Sequence, residues 1–122
     1  MATHGQQSEI QADINKAIQL RKDGKLDAAL AKIQNILEVD PNFVPALNQM
    51  GATYLKKKAF QKAASTYERA IELNPTNANF HNALGDAYVN AKHPNKAIKV
   101  YQKAIKLNPN LPPNVRKKLG DA

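Results

Sequence analysis

The sequence predicts an all-α protein, built as a stack of three helix-turn-helix units and closed by a short C-terminal helix. Two observations carry this. First, residue types recur at a step of 34 positions: Gly51 is followed by Gly85, Tyr54 by Tyr88, Ala63 by Ala97, Tyr67 by Tyr101, Ala70 by Ala104 and Pro75 by Pro109, and the same step backwards reaches Leu20, Ala29, Ile33, Ile36 and Pro41. A fixed period of this length marks stacked helical units, each too small to bury its apolar face alone. Second, apolar residues keep helical spacing throughout and no run alternates with period two, so strand content is expected to be negligible.

The elements follow in order. Residues 1–9 read as a flexible N-terminal tail, polar and frayed. Ser8-Glu9-Ile10-Gln11 has the form of a capping box, in which the Ser8 hydroxyl bonds the Gln11 N–H and Gln11 reaches back; it predicts a first helix from Glu9 to Lys22. Gly24 turns the chain with the left-handed backbone that helix ends favour. Leu26, Ala29, Leu30, Ile33, Ile36 and Leu37 then give a second helix over 26–39, which Asp40-Pro41 stops, because Pro disfavours helical geometry in the residue before it. The later helices are expected at 44–57, 60–73, 78–91 and 94–107, dividing the chain into units 10–43, 44–77 and 78–111.

Asn42, Thr76 and Asn110 lie one step apart, each just after a Pro, and are residue types that cap helix N-termini. Pro45 and Pro94 fall in first turns, where a missing N–H costs nothing. Gly51 and Gly85 sit inside helices, where Gly costs roughly 1 kcal/mol relative to Ala, so each implies a crowded contact. Tyr54, Tyr67, Tyr88 and Tyr101 are read as packing residues with hydroxyls near the surface. Residues 112–122 admit two readings. They form a capping helix, or they begin a fourth unit of a longer array, since Leu119-Gly120-Asp121-Ala122 repeats Leu84-Gly85-Asp86-Ala87.

Composition bounds the rest. The 122 residues suit one compact domain, 43% hydrophobic, without Cys and with net charge +8. Disulfides and Cys-based zinc sites are excluded. No leader-like N-terminus and no apolar run of about 18 residues is present, so a soluble, cytoplasmic protein is expected. Charge rises along the chain: the first unit is neutral, and the second and third carry +3 and +4. No phosphate-cradling loop, H-E-x-x-H or G-x-S-x-G occurs. His4, His81 and His93 lack the partners and spacing of metal ligands, and Asp13, Glu38 and Asp40 are scattered. An enzyme is not expected, nor a metal or cofactor.

The Gly-x-x-Tyr, Ala-x-x-x-Tyr-x-x-Ala and terminal Pro of the second and third units resemble the tetratricopeptide repeat (TPR) family, and the likeness extends from Ile10 to Leu111. The resemblance implies three repeats in a right-handed superhelix. It further implies that first helices line a concave groove and second helices form the convex face. The groove would be lined by Gln11, Ile14, Ile18 and Arg21, then Asn48, Ala52, Leu55 and Lys56, then Asn79, Asn82, Asp86, Val89 and Asn90. Its expected role is to hold a partner peptide or helix. Asn offers both a donor and an acceptor, suited to a peptide backbone, and Asn48 and Asn82 recur at the 34-residue step; the alternative is that these are solvated polar positions. His81 stands where the pattern often carries an aromatic, which implies a packed imidazole.

Two features depart from the family. In chaperone-binding members a clamp of Lys, Arg and Asn grips a terminal carboxylate. Here its basic positions fall at Ile14, Asn79 and Ala83 and its amides at Ile18 and Gln49, so only Gln49 is comparable. In the first helix, Asp13 and Lys16 replace apolar packing residues, while Ile10, Ile14 and Ile18 form a stripe four residues apart. Either the helix is rotated and the stripe is core, or the stripe lies at the groove mouth as a partner or self-association site. A second surface is basic: Lys96, Lys99, Lys103 and Lys106 share one helix face, with Lys62 and Arg69 as counterparts one unit earlier. It meets phosphates or acidic surfaces electrostatically, though without interleaved aromatics for base stacking, or it is a solvated face. A protein or peptide is therefore the expected partner. Nucleic acid ranks below it, no membrane is expected, and homo-oligomerisation or service as a structural segment of a larger protein stays open.

Overall fold

The computed structural model describes residues 4–110. Six helices follow one another, α1 (His4–Lys22), α2 (Leu26–Val39), α3 (Val44–Lys56), α4 (Phe60–Leu73), α5 (Ala78–Asn90) and α6 (Pro94–Leu107). They form three antiparallel pairs stacked in chain order, and no strand occurs among the described residues. The expected segment 112–122 lies outside the described residues, as do residues 1–3.

Three identical turns close the pairs. Lys25 N–H bonds Leu20 O at 2.8 Å, Ala59 N–H bonds Tyr54 O at 2.9 Å and His93 N–H bonds Tyr88 O at 2.8 Å. The residue before each of these, Gly24, Lys58 or Lys92, donates to the carbonyl three residues back. This is the Schellman arrangement, which requires a left-handed residue just past the helix. Gly24 adopts φ 81°, and Lys58 and Lys92 adopt φ 65° and 67°.

The core runs as one spine between the helices. Ile10, Ile14 and Ala17 pack with Ile33, Ile36 and Ala46 at the first end. Leu47, Ala63, Ala64, Tyr67 and Ala70 then meet Phe80, Leu84 and Ala87, and Ala97, Tyr101 and Ala104 complete the third pair. The buried Thr53 hydroxyl is satisfied within its own helix, donating to Gln49 O at 2.6 Å. His81 is buried as expected, with Nε2 3.0 Å from Pro75 O.

Three expectations need correction. The first helix begins at His4, not at Glu9, so Ser8 lies within α1 and the Ser8–Gln11 box does not start it; no Pro interrupts the residues before it, and the helix continues through them. Thr76 is not the cap of α5. Asn77 is, its side chain accepting from Asn79 N at 3.0 Å and Phe80 N at 3.3 Å. The corresponding cap of α3 is Phe43, without a side-chain bond. Asn42 instead accepts from Arg69 Nη2 at 2.8 Å.

Candidate functional site

The first helices α1, α3 and α5 lie side by side, and the groove residues expected from sequence divide into those the structure brings together and those it does not. Ile14 is only 5% exposed and belongs to the core with Ile10, so it is not a groove residue. α1 is rotated: its isoleucine stripe faces inward, Ile18 is half-buried against the same cluster, and Asp13 turns out to an ion pair with Lys32 at 3.7 Å. Burying Ile10 and Ile14 and half-covering Ile18 outweighs the usual register, because a fully buried isoleucine stabilises by about 1.5–3 kcal/mol.

The remaining positions form a polar strip across the three helices. Arg21 Nη2 donates to Gln49 Oε1 at 3.2 Å, and Lys56 Nζ donates to Arg21 O at 3.0 Å. Those two bonds tie the end of α1 to α3. On α5, Asp86 Oδ1 accepts from the Tyr101 hydroxyl at 2.6 Å and Asn90 Nδ2 donates to Asp86 O at 2.8 Å. Between them, under α3, lies the buried Tyr67. Burial pushes its phenol up to about 12, Arg21 opposing the shift and Asp86 adding to it, so charges from both sides of the strip reach this one ring.

Two polar atoms in the strip are buried without a hydrogen-bond partner, Arg21 Nε and Asn82 Oδ1. A buried donor or acceptor left unmade costs about 1–3 kcal/mol, and both atoms are closed to solvent. Asn48, Ala52 and Leu55 are half-buried, while Gln11 and Asn79 are exposed and Val89 is 43% exposed. Gln11 is engaged locally with Asn15 at 3.2 Å.

The alternative basic face is present as a surface. Lys62, Arg69, Lys96, Lys99, Lys103 and Lys106 are all exposed, and among the described residues none is in an ion pair. Lys62 and Lys96 lie 5.8 and 5.6 Å over the Tyr54 and Tyr88 rings. Sequence reasoning missed two things. Gln49 anchors Arg21, a pairing across 28 residues that no local pattern announces. An open hollow of about 420 Å³ lies between α2, α3 and α4, lined by Leu37, Leu47, Met50, Thr66 and Arg69. No group of three or more His, Asp or Glu able to hold a metal occurs among the described residues. No helix among them is long and apolar enough to cross a membrane.

Comparison with known proteins agrees with the fold. A family model described as TPR repeat matches residues 51–91, and one described as tetratricopeptide repeat matches residues 78–111. No curated protein matches the chain. Among solved structures, YrrB, described as a TPR protein with an unusual peptide-binding site, is 29% identical with a TM-score of 0.80 over 88% of this chain and 55% of its own. The first TPR of Spaghetti (RPAP3) bound to the HSP90 peptide SRMEEVD is 22% identical, with a TM-score of 0.87 over 93% of this chain and 90% of its own. A mutant O-GlcNAc transferase from Thermobaculum terrenum is 24% identical, with a TM-score of 0.86 over 98% of this chain but only 22% of its own. These last two are likenesses of fold alone. The chain thus spans about a fifth of the transferase and just over half of YrrB.

Proposed function

From the premise that this chain belongs to the tetratricopeptide repeat family, we propose that it is a non-catalytic protein-interaction module whose concave groove holds an extended segment of a partner. The observation that carries the reading is the polar strip from Arg21 through Gln49 and Lys56 to Asp86, drawn from α1, α3 and α5. The half-buried Asn48 and Asn82 amides, on α3 and α5, offer hydrogen bonds to separate peptide groups of such a segment. Half-buried Ala52 and Leu55 and the exposed Val89 add apolar contact along the same surface. The peptide-binding description of YrrB is in keeping with this.

The second reading places the site on the convex face. α6 carries Lys96, Lys99, Lys103 and Lys106 and no acidic residue, which favours an acidic surface or nucleic acid there. One experiment separates the two. Peptides are selected from a random displayed library, and the affinity of an enriched peptide is measured for wild type, Asn48→Ala/Asn82→Ala and Lys99→Glu/Lys103→Glu at two ionic strengths. Amide contacts are worth about 0.5–1.5 kcal/mol each, so the Asn pair should weaken binding roughly ten-fold and the Lys pair should leave it unchanged. Failure to enrich any peptide, or loss only in the Lys pair, refutes the groove.

A further inference from the structure

The three turns that join the helices within each pair lie along one edge of the stack. Lys57 of the second turn forms an ion pair with Asp27 beside the first, and Gln61 Nε2 beside the second lies 3.4 Å from His93 Nε2 in the third. That edge is basic. Lys22, Lys25, Lys57, Lys58 and Lys92 are all exposed along it. Its two acids are engaged, Asp27 by Lys57 and Asp23 by the Gln19 amide at 3.0 Å. The opposite edge carries Glu38, Asp40 and Glu72 beside one lysine, Lys106. Lys22, Lys25, Lys58 and Lys92 form no ion pair with any described residue.

Two of these lysines sit where the backbone disfavours them. The left-handed position of each Schellman turn is taken by Gly24 in the first pair but by Lys58 and Lys92 in the next two. A side chain raises the energy of that conformation, and glycine adopts it freely. A residue held in a strained conformation at the surface, twice and on the same edge, invites a functional reading.

We propose that this edge is a docking row for an extended acidic polypeptide segment, separate from the concave groove and not dependent on it. The spacing supports a polypeptide. Neighbouring packed helices lie about 8–10 Å apart, so successive turns present cations at intervals of that order. An extended chain advances about 3.3 Å per residue, so a carboxylate at every third position keeps step with the row. A single file of cations matches a strand better than a plane, which argues against a lipid surface. Arg21, at the end of α1, is half-buried with its fork turned to Gln49, and Tyr54 and Tyr88 in the neighbouring last turns are half-buried, so the edge presents neither an open arginine fork for phosphates nor a fully exposed aromatic for stacking on bases.

The probe is a labelled peptide with glutamate at every third position among Gly and Ser, titrated by fluorescence anisotropy at low and moderate salt. It is compared with a peptide of the same composition whose glutamates are contiguous, with a short oligothymidylate, and with phosphatidylserine-containing vesicles. Lys58→Gly/Lys92→Gly removes two cations and relieves two strained turns, so its melting temperature should equal or exceed that of wild type. Its affinity for the periodic peptide should fall roughly three- to ten-fold, as expected for losing two exposed charge contacts. Lys22→Ala/Lys25→Ala should also lose affinity, and Lys99→Glu/Lys103→Glu on the convex face should retain it. Unchanged binding in both edge variants overturns the proposal, as does equal affinity for the contiguous peptide. Tighter binding of the oligothymidylate or the vesicles, lost in the same variants, assigns the edge to those partners instead.

Discussion

Tyr67 lies so close beneath Gly51 that a Cβ at position 51 would stand 2.6 Å from the ring Cε2. Tyr101 stands in the same relation to Gly85, closer still. Both rings are buried, so neither has room to withdraw. The 34-residue recurrence of Gly and Tyr is therefore a single contact made twice, in which the second helix of a pair packs its aromatic ring against the bare backbone of the first. Gly51→Ala and Gly85→Ala should each destabilise by about 1–3 kcal/mol through overpacking. Chemical denaturation is the measurement, and wild-type stability in either variant would mean that the rings are mobile.

Rotation of α1 is tested by truncating the stripe. Ile14→Ala should cost about 2–5 kcal/mol, as for other buried large-to-small changes, whereas Gln11→Ala, on the exposed face, should be nearly silent. Equal and small effects on the melting curve would return Ile14 to the surface.

Alkaline stability follows from Tyr67. Burial raises its phenol from 10.0 to about 12. Because the folded value lies above the unfolded one, the stability from keeping this group neutral is complete below pH 10. Above that the unfolded chain releases its proton first, and the contribution is lost as pH rises through about 12. The loss approaches about 1.4 kcal/mol per pH unit for one such tyrosine. Tyr67→Phe should flatten the fall in melting temperature between pH 10 and 12. An unchanged slope would show that Tyr67 ionises as freely when folded as when unfolded.

The Asp86–Tyr101 bond joins α5 to the buried ring of α6. Tyr101→Phe removes a hydrogen bond to a carboxylate, worth about 1.5–3 kcal/mol. It should lower stability and leave Asp86 less firmly placed. Comparing Tyr101→Phe, Asp86→Asn and the double variant should give a coupling energy well above zero, and additive losses would show that the two side chains act apart.

Terminal-carboxylate recognition should be weak. The clamp positions carry Ile14, Ile18, Asn79 and Ala83; Ile14 is core, and Gln49, the one matching amide, is held by Arg21. The peptide SRMEEVD should bind no tighter than about 10 µM, roughly 7 kcal/mol. Stronger binding by calorimetry would require a clamp built from other residues.

Sequence alone determined the helices and their order. Five of the six starts and four of the six ends stand at the expected residue, and the other two ends differ by one. These boundaries are local matters: Pro75 and Pro41 stop helices, Gly24 turns one, and the apolar spacing along each segment needs no neighbour to be read. The step from Gly51 to Gly85 likewise announced a repeated contact before its partner ring was known. Tertiary structure alone decided which face of α1 is buried, since Ile10, Ile14 and Ile18 fit either a core or a groove until Ile33, Ile36 and Ala46 are set against them. It also decided that Gln49 holds Arg21, that Asn42 serves Arg69, and that lysines from three separate turns form one edge. Each of these depends on how one helix pair is placed on the next, a rigid-body relation among residues about 30 apart, and local preference along the chain contains no term for it.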